Sequence, residues 1–168
     1  MAVRIEPFGL AHTASFQALA ADARIAATTL VPHPYPTGGA VEHARNAARW
    51  RERREAFAFA VLDGDAVVGS CGIKHLDWDA RSGEIGYWIG VPFWGRGLAT
   101  EAVRLVTAFG LDTLGLNRIV AEVLADNVAS ARVLEKAGYR RVGTFPNPND
   151  RHAGLATRRY ALDRPLAT

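Results

Sequence analysis

The segment of this 168-residue chain with the clearest chemistry is Trp94-Gly95-Arg96-Gly97-Leu98-Ala99-Thr100-Glu101. An apolar, strand-like run ends before it, small residues follow, and an amphipathic pattern begins at once. A helix that starts at such a turn leaves its first N–H groups unpaired, with the positive end of its dipole aimed outward. That combination binds anions. Gly95 and Gly97 let a phosphate close on the main chain, and Ala99 keeps the next approach open. Three phosphate readings compete with an ordinary glycine turn. A Walker loop needs Gly-Lys-Ser/Thr, which is absent. A dinucleotide fingerprint, Gly95-x-Gly97-x-x-Thr100, lacks its third glycine and a parallel βαβ setting. The third is a loop for the pyrophosphate of coenzyme A.

Covalent and metal chemistry are poorly served. Cys71 is the one cysteine, so neither an internal disulfide nor a cysteine zinc cluster forms. His75 lies four residues further on, about 13 Å away in an extended chain, too far to activate the thiol. Cys71 is therefore expected to be a small core residue. His12, His33, His43, His75 and His152 show no metal-ligand spacing, and no metal is expected. Arg45, Arg49 and Arg53 share one helix face with Glu42 and Glu52 nearby. A solvated face is expected there, with ribosome or nucleic-acid contact as the alternative.

The elements that must position these residues follow from pattern. Residues 2–6 suit a first strand, and 11–23 and 40–55 suit helices joined by the loop Pro32-His33-Pro34-Tyr35-Pro36. Residues 57–62, 66–74 and 84–91 read as three consecutive strands in an antiparallel meander, with a hairpin turn at Asp63-Gly64-Asp65 and a polar connection over 75–82. Leu98, Ala102, Leu105, Val106 and Phe109 form the apolar face of a helix that stops before Gly115. Arg118 to Leu124 is a strand, Asn127 caps a helix ending at Gly138, and strands are expected over 139–145 and 157–162. The result is an α/β chain with a mixed sheet and helices on both faces.

Composition sets the frame. Hydrophobic residues are 49% and charged residues 22%, as in a soluble globular domain rather than a disordered chain or a fibre. One domain over residues 1–168 is expected. A net charge of +3 is too small for a nucleic-acid coat, so no DNA partner is expected. No apolar run approaches the ~18 residues of a membrane span. Glu6 and Pro7 interrupt the stretch where a secretion signal would be apolar, so the cytoplasm is the expected compartment.

Further motifs accumulate around the turn. Glu84-Ile85-Gly86-Tyr87-Trp88-Ile89-Gly90-Val91 leads into it, Ala99-Thr100-Glu101-Ala102 follows it, and Asn127-Val128-Ala129-Ser130 precedes Glu135-Lys136-Ala137-Gly138-Tyr139. In this order and spacing the chain resembles the GNAT superfamily of acyl-CoA-dependent N-acyltransferases. It is most similar to the branch with ribosomal-protein-alanine N-acetyltransferases. Gly97 and Ala99 match the family's Gln/Arg-x-x-Gly-x-Gly/Ala motif, whereas Trp94 replaces Gln/Arg.

The resemblance implies a GNAT-like fold of six to seven strands and about four helices, with acetyl-CoA as cofactor. It implies that main-chain groups of Ile89 and Val91 hold the pantetheine arm. The turn Trp94-Gly95-Arg96 and the amides of Arg96, Gly97, Leu98, Ala99 and Thr100 would hold the pyrophosphate. Asn127 and Ser130 would lie near the thiol end, and His33 and Tyr35 at the acceptor mouth. Acyl transfer needs a neutral amine. At pH 7 roughly 10–15% of an α-amine is neutral, against about 0.04% of a lysine. Glu84 is the expected base, Ser130 the expected acid with Tyr87 in reserve, and an N–H near Gly90 or Val91 the oxyanion donor. The implied function is acetyl transfer to a primary amine by direct attack in a ternary complex. A protein N-terminus, of a ribosomal protein among others, is the favoured acceptor. A small-molecule amine or a non-catalytic acyl-CoA sensor is the alternative. A monomer or homodimer is expected, without membrane contact.

Overall fold

In β2 (Phe57–Asp63), Phe57, Phe59 and Val61 face one side and Ala60 and Leu62 the other, and all are buried. A strand apolar on both faces must be covered on both. The computed structural model, which describes residues 2–148 and 152–167, shows how. One face carries α4 (Leu98–Ala108) and α5 (Val128–Lys136), packed over Phe57, Phe59, Val61, Ile73 and Ile85. The other carries α1 (Thr13–Ala20) and α3 (Gly39–Glu52), packed over Ala60 and Leu62.

The remaining strands are β1 (Val3–Pro7), β3 (Ala66–Asp77), β4 (Ser82–Ile89), β5 (Arg118–Leu124), β6 (Arg140–Pro146) and β7 (Ala156–Asp163). They form one sheet in the order β1-β2-β3-β4-β5-β7-β6. Every neighbouring pair is antiparallel except β4 with β5. That parallel pairing joins only Ser82, Gly83 and Glu84 to Arg118, Ile119 and Val120. Past Glu84 the two strands part, so the middle of the sheet opens as a wedge.

Three expectations change. The predicted 11–23 helix is broken by Asp22, whose Oδ1 accepts from the N–H of Arg24 and starts the short α2 (Ala23–Ala26). The predicted connection over 75–82 is shorter, because β3 runs on through a bulge to Asp77. Leu105 is exposed, since the buried stripe of α4 runs through Leu98, Ala102, Val103 and Val106 and turns away from it. Beyond Ala108 the helix widens into a π turn over Phe109–Thr113 before Gly115, which has φ +71°.

Candidate active site

The wedge between β4 and β5 opens into a cavity of about 1550 Å³. One end is the turn into α4. Gly95 and Gly97 have φ of +76° and +75°, the left-handed region that suits glycine. A Cβ at either would meet nothing within 4 Å, so the backbone angle, not crowding, demands glycine. No side chain caps α4, and its first internal bond runs from the Glu101 N–H to the Gly97 carbonyl at 3.3 Å. The N–H groups of Leu98, Ala99 and Thr100 therefore lie ahead of the helical ladder. Such a cradle fits a pyrophosphate. Arg96 gives the turn its main chain, because its guanidinium bonds Asp63 Oδ2 at 2.6 Å.

The strand leading into this turn partly departs from expectation. Gly90 directs its N–H to the Val68 carbonyl on β3 at 2.8 Å, so that N–H is not available as an oxyanion donor. Alternation along β4 then turns the main-chain groups of Ile89 toward the opened edge. The half-exposed Trp94 donates its indole N–H to the Ile89 carbonyl at 2.7 Å. Val91 begins a 3-10 turn, accepts at its carbonyl from the Trp94 N–H at 3.2 Å, and does not line the cavity.

Deeper in, Tyr87 on β4 meets Ser130 on α5. The phenol oxygen lies 2.7 Å from Ser130 Oγ and 3.1 Å from the Ser130 carbonyl. A carbonyl only accepts, so Tyr87 donates to it and Ser130 Oγ donates to Tyr87 when both bonds form. Burial pushes the Tyr87 phenol well above its usual range, and the Ser130 bond offsets part of that shift. Tyr87 both packs against the core and hydrogen-bonds Ser130. Asn127 caps α5 by accepting the Ser130 N–H at Oδ1, 3.1 Å, which fixes the position of the serine.

Glu84 lies on the opposite face from Tyr87, as an odd separation on a strand requires. Its Oε2 is 2.5 Å from Nδ1 of His75, and both residues line the cavity. Cys71 is fully buried, burial raises its thiol, and its Sγ points at the Ala102 carbonyl at 3.9 Å, which leaves it no base.

At the end expected to form the acceptor mouth the structure separates two residues predicted together. Tyr35 is half-buried, lines the cavity and packs on Phe16 at 6.1 Å. His33 is exposed and outside the lining, because the proline-rich loop turns it to solvent. The sequence reading missed the aromatic wall of Phe16, His43, Trp50 and Trp88. His43 stacks on Phe16 at 5.2 Å, and burial lowers its basicity. Trp88 could have been placed by alternation, since it shares a strand face with Glu84. Among the described residues no helix is long and apolar enough to cross a membrane.

Comparison with known proteins agrees with this geometry. The chain matches the model of the acetyltransferase (GNAT) domain over residues 3–140. An uncharacterized N-acetyltransferase, p20, of Bacillus licheniformis is 37% identical over 87 residues, 52% of this chain and 49% of that protein. The chain spans about half the length of the curated relatives it matches. The structure of RimL, a ribosomal L7/L12 alpha-N-protein acetyltransferase in complex with coenzyme A, superposes with a TM-score of 0.88 at 15% identity. That match covers 96% of this chain and 93% of RimL. The spermidine N-acetyltransferase of Vibrio cholerae, in complex with CoA and spermine, gives a TM-score of 0.81 at 16% identity over 96% of this chain and 95% of that one.

Proposed function

This chain belongs to the GNAT acetyltransferase domain family, and from that premise we propose that it moves an acetyl group from acetyl-CoA to a primary amine, with a protein α-amine favoured. One observation carries the reading. The uncapped start of α4, the Tyr87–Ser130 pair and Glu84 all open onto a single cavity.

When bound, acetyl-CoA supplies a thioester whose C–S bond breaks as the new C–N bond forms. The amides of Leu98, Ala99 and Thr100 bind its pyrophosphate, helped by the helix dipole. Glu84 takes the proton of the acceptor's ammonium group, directly or through one water. Tyr87 turns its O–H from the Ser130 carbonyl to the departing sulfur while Ser130 donates to the phenol oxygen, and the second proton, which the nitrogen sheds once the C–N bond has formed, restores the phenol. Because burial raises the Tyr87 phenol, it stays protonated across neutral pH. An α-amine suits this machinery. One carboxylate must remove one proton from a group already partly neutral near pH 7.

The aromatic wall supports a second reading. Phe16, Tyr35, Trp50 and Trp88 favour an acceptor with apolar bulk beside its amine, in a protein N-terminus or a small molecule. Cationic chains such as spermidine have little to pair with there, since Glu55, Glu84 and Glu122 are the only carboxylates lining the cavity among the described residues. Glu122 is already held by Arg159 at 2.6 Å.

Thermal shift tests the cofactor half. Acetyl-CoA and CoA at 100 times their Kd should stabilise the protein by ~2.7 kcal/mol, and NAD should do nothing. An acetylation panel tests the other half, with free-N-terminal peptides, blocked peptides carrying lysine, spermidine and an arylalkylamine. Turnover with free N-termini is expected. Acetyl-CoA binding without turnover on any amine would favour the sensor alternative.

A further inference from the structure

The bulge in β3 lies beside Glu84. Lys74 pairs with Glu84 and Asp77 with Ser82, so His75 and Leu76 together oppose the single residue Gly83. Strict alternation would send the His75 side chain to the face away from Lys74 and Glu84. Instead His75 has φ +50°, the left-handed region that few residues other than glycine adopt and in which asparagine, aspartate and histidine are enriched. The ring swings back and its Nδ1 reaches Glu84 Oε2 at 2.5 Å. Gly83 lets Ile73 and Leu76 pack against the bulge, because a Cβ there would sit 2.8 Å from Ile73 Cγ2 and 3.1 Å from Leu76 Cδ2. Bulges beside sites re-aim side chains, and strained backbone persists where its surroundings over-determine it.

We propose that His75 is a positioning residue for Glu84. The inference rests on the reading of Glu84 as the base. A neutral imidazole that donates Nδ1–H to Oε2 fixes the carboxylate plane and leaves Oε1 for the acceptor. In that step an ammonium N–H bond breaks, its proton goes to Oε1, and the nitrogen keeps the electron pair. No proton crosses His75. Without this anchor the carboxylate is free to turn toward Lys74, its register partner on β3. The exposures fit the role: the Glu84 side chain is 17% exposed and that of His75 71%, so the imidazole holds a mostly buried base from the solvent side.

Three variants test this with a free-N-terminal alanine peptide held saturating and acetyl-CoA varied. H75G relaxes the backbone and removes the donor. H75N tolerates the left-handed conformation and restores a side-chain N–H. H75D tolerates it equally and offers no donor at neutral pH. H75G and H75D should lose about tenfold in kcat, with KM for acetyl-CoA unchanged, and H75N should recover most of the loss. Because H75N and H75D are nearly isosteric, that comparison stands even if H75G melts early. H75N no faster than H75D, or H75G at parental kcat, overturns the inference. If E84Q is slow in that case, Glu84 remains the base and only the role of His75 falls; if E84Q is also fast, both readings fall. A readout free of the acceptor is the imidazole nitrogen NMR signal. His75 should be the Nδ1–H tautomer in the parent and lose that bias in E84Q, and a parent with the proton on Nε2 overturns the proposal.

Discussion

The two ends of the cavity are built on different principles. The end at α4 is main chain. Two left-handed glycines and an uncapped helix start, all within residues 94–101, create the anion cradle. The deeper end is side chain. Tyr87 and Ser130 are 43 residues apart, and Glu84 meets His75 only because β3 carries a bulge. A main-chain site tolerates changes of side chain and fails when the backbone angle is denied. A side-chain site fails when one functional group is lost, even where the backbone that presents it is kept. The two ends should therefore break separately.

The largest effect is expected at Glu84. E84Q keeps the shape and removes the basic oxygen, and kcat should fall by about 100-fold or more, the usual scale for a lost general base. The Kd for CoA, measured by calorimetry, should not move. A matching loss of CoA affinity would show that the two ends are not independent.

The converse break is Gly97→Val. A β-branched residue at φ +75° is strained by ~1–3 kcal/mol, and relief of that strain pulls the cradle apart. CoA binding should weaken by about 30-fold, while kcat at saturating acetyl-CoA stays near parental. G115V is the control, because Gly115 has φ +71° with nothing within 4 Å of a Cβ. It carries the same backbone strain at the far end of the helix and should leave CoA affinity alone.

The same contrast explains how much the sequence disclosed. The cradle was legible because its code is local: glycines at fixed offsets before an amphipathic helix. The Asn127 cap and the strand over 118–124 were legible for the same reason. The hydrogen bond of Tyr87 to Ser130 was not legible because its partner lies on another element, and alternation says which face a residue takes, not whom it meets there. His75 was weighed as a partner for Cys71 and as a metal ligand, and its place at the start of the expected connection over 75–82 gave no reason to pair it with Glu84. A bulge leaves no periodic trace in the sequence. His33 was misplaced because proline and glycine announce a loop without fixing the direction of its side chains.

Tyr87→Phe sharpens the deep end. The ring still fills its place while the proton donor goes, and kcat should fall about tenfold, with a smaller loss for S130A because water can replace the second donor. The sign of the pH effect follows from burial. A phenol raised above its usual range stays protonated as pH climbs, so parental kcat should hold through the ordinary tyrosine range near pH 10. A kcat profile that falls below pH 9 in the parent and is flat in Y87F would place the phenol's ionisation too low for this role.

The smallest expected effect lies at the seam between the two ends. Trp94 stands where the related motif has Gln or Arg, and its indole N–H occupies the Ile89 carbonyl at 2.7 Å. That carbonyl points to the opened edge of β4, where an amide of the pantetheine arm would otherwise find it. Trp94→Phe keeps an aromatic ring at a half-exposed position and withdraws the competing donor. A hydrogen bond of this kind is worth ~0.5–1.5 kcal/mol net. If the arm uses the Ile89 carbonyl, W94F should bind CoA about threefold more tightly, with kcat unchanged. Desulfo-pantetheine, which lacks the pyrophosphate, should gain by the same factor. An unchanged affinity would mean that the arm bypasses Ile89. A weaker one would mean that the indole holds the turn in shape for the pyrophosphate, and the main-chain end would then depend on one side chain after all.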